Sequence, residues 1–222
     1  HHALPNRAGG FCVFNNLGIA ARYALKRHGL KRIMIIDWDI HHGNGLNDIF
    51  YGEKEVLYCS THDPMLYPYT GDWNETGCGS GEGYTVNIPI PRELDDQGIL
   101  SLYGQVVGPM VMRYQPELIL VDAGFDAHHQ DPIGRAQLTE EAFRGLTQLI
   151  LYLGREVGYP PILFALEGGY DTRALAASVK AVLQVLTSCV PSQKPRWEET
   201  PRAAELVKKA WKAHNKYGIW VD

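Results

Sequence analysis

The chain has no CxxC pair, no long apolar run and no cluster of basic residues, and each absence removes a class of protein. Its four cysteines, Cys12, Cys59, Cys78 and Cys189, stand singly in 222 residues. That spacing rules out a thiolate-only zinc knuckle and suits reduced thiols in a cytoplasmic protein better than a disulfide framework. No apolar stretch approaches the roughly 18 residues of a membrane helix, and no signal-peptide pattern opens the chain, so no membrane association is expected. Lys and Arg are scattered through a chain of net charge -4, which argues against nucleic acid as a direct partner and is compatible with a basic substrate. No internal repeat is present. The apolar fraction of 45% and charged fraction of 21% are those of a globular domain with a well-supplied core. One domain spanning 1–222 accommodates this length.

Apolar runs and helical patterns alternate along the chain. Residues 15–27 read as a helix stopped by Gly29, 32–37 as a strand, 44–50 as a short helix, 56–60 and 84–88 as strands. Between the last two strands, residues 62–83 form a long Gly- and Pro-containing loop of the kind that is usually functional or mobile. Residues 95–113 read as one amphipathic helix, 118–122 as a strand, 139–156 as a helix, 162–165 as a strand and 171–188 as a helix. A polar, Pro-rich surface connection, 191–201, leads to a last helix over 202–214. Strands separated by helices predict an α/β fold, a mainly parallel sheet with helices on both faces.

Three segments place polar groups directly after a strand, where ligands collect in such folds. The first is Asp37-Trp38-Asp39-Ile40-His41-His42-Gly43-Asn44-Gly45. Extended backbone alternates its side chains, so Asp37, Asp39 and His41 face one side and Trp38 and Ile40 face the packing. Mixed oxygen and imidazole donors suit zinc or iron better than calcium. The second segment supplies Asp126, a third donor that leaves one coordination position open for chemistry. His128 and His129 are left out, because two more imidazoles would close that position, and His42 and His62 read as packing or loop residues. The third segment, Glu167-Gly168-Gly169-Tyr170, offers a phenolic donor to a developing oxyanion. His1 and His2 can supply the base.

In this order the motifs resemble the histone deacetylase family, closest to its class II and bacterial amidohydrolase-like members. The resemblance rests on His1-His2-Ala3, Gly10-Phe11-Cys12, the run from Asp37 to Gly45, Gly124-Phe125-Asp126, Asp131-Pro132 and Glu167-Gly168-Gly169-Tyr170. It implies an arginase/deacetylase-like fold and a zinc-dependent hydrolase that removes acetyl or related acyl groups from the ε-amino group of lysine. By it, Asp39, His41 and Asp126 would hold zinc, His2 would act as base and then acid, His1 would assist electrostatically and Tyr170 would polarise the acyl carbonyl. Asp37 and Asn44 would orient the two histidines. Phe11, Tyr67 and Ile133 would line the acyl-lysine tunnel, and the Gly10 carbonyl would accept the substrate amide hydrogen. A potassium site would use Asp37, Asp39, His41, Ser60 and Thr61, and a second one Phe50, Glu53, Val56 and Tyr84. The family places a further segment before its histidine pair, so the chain is expected to be an N-terminally incomplete piece of a longer product.

The partner implied is an acetylated lysine peptide or protein. Three alternatives stay open: an acetylated small amine such as a polyamine as substrate, a dinuclear arginase-like hydrolase, and a non-catalytic acyl-lysine binding module. The apolar Ile133 favours acyl-lysine over a charged polyamine.

Overall fold

The apolar runs become five parallel strands in the computed structural model, which describes residues 1–220; the last two residues of the expected 1–222 domain lie outside the described residues. They are β1 (Ile33–Asp37), β2 (Val56–His62), β3 (Thr85–Pro89), β4 (Leu118–Ala123) and β5 (Ile162–Leu166). The sheet order is β3-β2-β1-β4-β5, all pairs parallel. The chain therefore steps outward from β1 in one direction, then returns to β1's other side with β4. Between β1 and β4 lies the point where the winding reverses, and the carboxyl ends of these strands open a crevice there. That topology brings the segments after β1, β4 and β5 to one end of the sheet.

Seven α-helices accompany the strands among the described residues: α1 (Asn16–His28), α2 (Asn44–Phe50), α3 (Asp96–Gln105), α4 (Val107–Tyr114), α5 (Glu140–Glu156), α6 (Thr172–Leu186) and α7 (Pro201–His214). Their starts are written in side chains. Asn15, Asp95 and Asp171 each accept a backbone N–H of the first turn, and Gly29 ends α1 in the left-handed conformation. One sheet face, with Met34, Ile36, Leu57, Val86, Ile119 and Val121, packs against α3, α4, α5 and α7 through Leu102, Met110, Phe143, Leu146 and Leu206. The other face, with Ile33, Ile35, Val56, Tyr58 and Leu120, packs on Leu17 and Ala21 of α1 and Leu46 and Phe50 of α2. Full burial of each such Leu, Ile or Phe is worth roughly 1.5–3 kcal/mol.

Two expectations need correction. The helix read over 95–113 breaks at Val106 into α3 and α4. Pro109 explains this, since proline lacks the N–H that would bond to residue 105 and its ring clashes with that carbonyl. Strand β2 runs on to His62, two residues past Ser60, because Thr61 and His62 pair with Ile88 and Pro89 of β3. Helices lie on both faces, but on the α1–α2 face Leu163 of β5 stays 47% exposed, while Leu166, on the other face, lines the cavity beside His1 and His2. Residues 191–200 cross without helix or strand to α7, with Trp197 lying against Gly104 of α3. The four cysteines are unbridged.

Candidate metal centre and active site

The β1 strand ends at Asp37, and the next residues continue the alternation the sequence predicts. Trp38 and Ile40 enter the core, and Asp39 and His41 turn into the crevice. Asp126, on the turn after β4, meets them. Ligand atoms of Asp39, His41 and Asp126 all lie within 4.8 Å of one another, and all three residues are buried. His41 Nδ1 is 2.8 Å from Asp126 Oδ2 and 3.1 Å from Asp39 Oδ1. Backbone amides fix the remaining carboxylate oxygens: Ile40 N donates to Asp126 Oδ1 at 3.0 Å and Gly168 N to Asp39 Oδ2 at 3.1 Å. Gly168 has to be glycine, because a Cβ there would sit 2.4 Å from Asp126 Oδ2 and 2.7 Å from Asp39 Oδ2.

Charge is concentrated at this point. Burial works against a charge on His41, but its hydrogen bonds to Asp126 and Asp39 and their negative charges outweigh it and push its pKa up to about 10. Burial and the adjacent Asp39 charge push Asp126 up to about 7. Asp39 is held below the usual carboxylate range: burial opposes its charge, but His1 and the His41 hydrogen bonds prevail. Two carboxylates thus face one cation, an imidazolium, in a donor set of the kind that suits a divalent zinc.

His1 and His2 sit beside this group. His1 Nδ1 is 3.1 Å from Asp37 Oδ2, His2 Nδ1 is 2.9 Å from Asn44 Oδ1, and the two Nε2 atoms are 3.2 Å apart. Because the carboxylate and the amide oxygen only accept, both Nδ1 atoms carry protons. Burial tends to discharge His1, but the charges of Asp122 and Asp37 outweigh it and hold its pKa well above the ordinary value. Burial and the neighbouring His1 charge lower His2 to about 4, so the ring is neutral at neutral pH and Nε2, beside His1 Nε2, is its basic nitrogen. Gly10, at φ +52°, packs flat on the His2 ring, which a Cβ would meet at 2.0 Å.

Tyr170 stands at the mouth. Its ring lies 6.1 Å, edge on, from that of Phe11, and burial together with the Asp126 and Asp39 charges raises its pKa, so the phenol keeps its proton. The Tyr67 ring lies 5.0 Å from the His2 ring. His2, Gly10, Phe11, His41, Tyr67, Ile133 and Tyr170 line one cavity of about 380 Å³. A second, of about 390 Å³, shares five of these and adds His1, Asp39 and Glu167. A further cavity of about 930 Å³ runs along α1 and has none of the predicted site residues in its lining.

The predicted cation residues fare differently. Asp37, Asp39, His41, Ser60 and Thr61 are all buried around the ends of β1 and β2, where Ser60 Oγ bonds His62 Nδ1 and Thr61 Oγ1 bonds the Tyr103 hydroxyl, each at 2.9 Å. In the second set the Phe50 carbonyl accepts from Glu53 N, the Tyr84 carbonyl accepts from Tyr58 N, Val56 pairs with Ile33, and the Glu53 carboxylate is held by Arg22. The predicted ligands of this second set are the carbonyl oxygens, each of which has a second lone pair beside such contacts.

Several residues of the site carried no sequence signal of their own. Asp122 sits in an apolar strand and lies opposite Asp37 in the β1–β4 register. Both its oxygens are buried without a hydrogen bond, and Oδ2 is 3.6 Å from His1 Nδ1. The Tyr58 hydroxyl donates to Asp37 Oδ2 at 2.8 Å. Glu167 was read only as part of a motif, yet its carboxylate approaches the His1 backbone nitrogen at 3.1 Å and Cys12 Sγ at 3.7 Å.

A buried two-carboxylate and one-imidazole centre at the carboxyl end of a parallel sheet, with a histidine pair and a phenol around it, defines a class, and the comparisons give it a family. The histone deacetylase domain model matches residues 1–186, and the chain belongs to the histone deacetylase family. It is 39% identical over 223 residues to "Histone deacetylase 10, chloroplastic" of Oryza sativa subsp. japonica, covering 97% of this chain and 50% of that protein. To "Histone deacetylase 14, chloroplastic" of Arabidopsis thaliana it is 44% identical over 179 residues, covering 81% of this chain and 42% of that protein. The crystal structure of the HDA15 HD domain superposes with a TM-score of 0.86 at 34% identity, over 99% of this chain and 59% of that one. The chain spans about half the length of these two curated relatives, and its sheet is the arginase/deacetylase-like one.

Proposed function

We propose that this chain hydrolyses the amide joining an acetyl group to the ε-nitrogen of lysine in a protein or peptide, using zinc held by Asp39, His41 and Asp126. The observation that carries this reading is one cavity lined by His2, His41 and Tyr170 together with Gly10, Phe11, Tyr67 and Ile133. The donor set fits a divalent ion, since two buried carboxylates and an imidazole nitrogen converge within 4.8 Å of one another. Zinc bound there would act as a Lewis acid on the acyl carbonyl and on water.

The protein's own groups do the rest. His2, neutral and with Nδ1–H directed at Asn44, takes the proton of the attacking water at Nε2. Tyr170 donates its phenolic proton in a hydrogen bond to the carbonyl oxygen as negative charge develops there. When the C–N bond breaks, His2 returns its proton to the departing lysine nitrogen, leaving acetate and a free amine. His1, held between Asp37 and Asp122, stays charged throughout and stabilises the negative charge that develops near it. Phe11, Tyr67 and Ile133 pack along the methylene stem of the lysine, and the Gly10 carbonyl accepts the substrate amide hydrogen. A potassium ion beside Asp37 belongs to the same proposal and rests on family resemblance alone.

The test is acetate release from an N-ε-acetyl-lysine peptide, with and without a zinc chelator. The reading expects release that stops on chelation and returns with added zinc. Binding of the peptide without acetate release from the zinc-loaded chain overturns it.

A further inference from the structure

Tyr170 lies in the irregular segment 167–171 between β5 and α6; Glu167 ties its start to Ala123 and His1, and three hydrogen bonds fasten the part from Gly168 to Tyr170. Gly168 N donates to Asp39 Oδ2, Phe125 N donates to the Gly168 carbonyl at 2.7 Å, and Tyr170 N donates to Asp131 Oδ2 at 2.7 Å. Only the last is made by Tyr170 itself. Gly169, next to it, has φ +142°, a conformation that adds no stiffness of its own. The other oxygen of Asp131 accepts from Ile133 N at 2.8 Å and Gly134 N at 3.0 Å. Asp131 is 4% exposed, and its own N–H donates to the His128 carbonyl, so the carboxylate is fixed in place. Behind it, Gly134 packs so close to Asp126 that a Cβ would meet that carbonyl oxygen at 1.9 Å.

One buried carboxylate therefore holds two parts of the cavity mouth, the phenol-bearing residue and the Ile133 wall. We infer that Asp131 is a positioning residue: through its bond to the Tyr170 amide it sets where the phenol stands over the reacting carbonyl. Charge-assisted bonds of this kind are short and directional, and a shift of about 1 Å in a catalytic group costs on the order of 10²-fold in rate. The hydrogen bonds of Asp131 go to Ile133, Gly134, His128 and Tyr170, and it does not line the cavity, so its effect on the reaction runs through Tyr170. This inference rests on the proposed deacetylase reading.

Asp131→Asn keeps the volume but leaves one acceptor oxygen where two are used. With zinc-loaded full chain and an acetyl-lysine peptide, Asp131→Asn is expected to lower kcat about 10- to 100-fold with KM within about threefold and zinc content unchanged. In a Tyr170→Phe background the same change is expected to cost less than about threefold, since the group it positions is gone. In the metal-free chain, amide exchange of residues 167–171 should quicken while that of β1 and β2 does not. An equal loss in both backgrounds, or unchanged exchange in 167–171, overturns the inference. If the wild-type chain releases no acetate, the functional reading falls, and the exchange measurement still decides whether Asp131 holds the Tyr170 segment.

Discussion

Asp37 and Asp122 are cross-strand partners on β1 and β4, and the His1 ring lies against both carboxylates, 3.1 Å from one and 3.6 Å from the other. Asp37 is also bonded by Tyr58, whereas Asp122 is buried with no hydrogen bond. Burial and the Asp37 charge raise the Asp122 pKa well above the ordinary 3.8 against the pull of the His1 charge, so Asp122 and His1 titrate together. A group that holds its proton more tightly when folded contributes stability that is full below its unfolded pKa and is lost as pH rises through its folded pKa. Asp122→Asn removes that loss. The variant should therefore gain melting temperature relative to wild type, and gain more at pH 8 than at pH 5; an equal difference at both pH values would contradict the assignment.

Tyr170→Phe removes the phenolic donor and nothing else in the cavity wall. Loss of one oxyanion donor typically costs on the order of 10²–10³ in kcat. We expect that loss in acetate release with zinc content unchanged by elemental analysis. Full turnover would show that the phenol has no part in the reaction.

Metal binding should release a proton. His41 is pushed up to about 10 by Asp126 and Asp39 against its burial, so below that pH it carries a proton that an incoming ion must displace. Above about 7, where Asp126 is ionised, zinc affinity measured by chelator competition should rise about tenfold per pH unit until pH 10 is approached. Asp126→Ala should abolish stoichiometric zinc. A pH-independent affinity would remove His41 Nδ1 from the ligand set.

The cavity wall at Ile133 is apolar and 40% exposed. Ile133→Glu places a negative charge where a polyamine's internal ammonium would lie. The kcat/KM ratio of acetylspermidine to acetyl-lysine peptide should then rise several-fold, the size expected of a half-exposed charge pair. A ratio that stays fixed or falls would mean that this wall does not sort substrates by charge.

The centre was legible because its residues follow strands. Asp39, His41 and Asp126 could be read from apolar runs ending in polar motifs, and the reversal of winding between β1 and β4 brings them together. What could not be read depends on partners distant in the chain. Nothing within β4 says that Asp122 faces Asp37, because register is a property of two strands, and nothing near Asp131 says that its carboxylate reaches the amide of Tyr170. Pro109 was visible, but the apolar spacing on either side of it read through the break at Val106. The parallel sheet was expected to be covered on both faces; how far α1 and α2 extend across it is set by packing rather than by any local pattern.

The partly uncovered β5 strand has a practical outcome for anyone handling this chain. Among the described residues it forms one margin of the sheet, with a ladder side facing away from β4 and with Leu163 half exposed. Such a margin is a ready template for adhesion between molecules, and concentrated solutions should cluster through it. A lysine in place of Leu163 should keep the protein dispersed without touching the chemistry at the other end of the crevice.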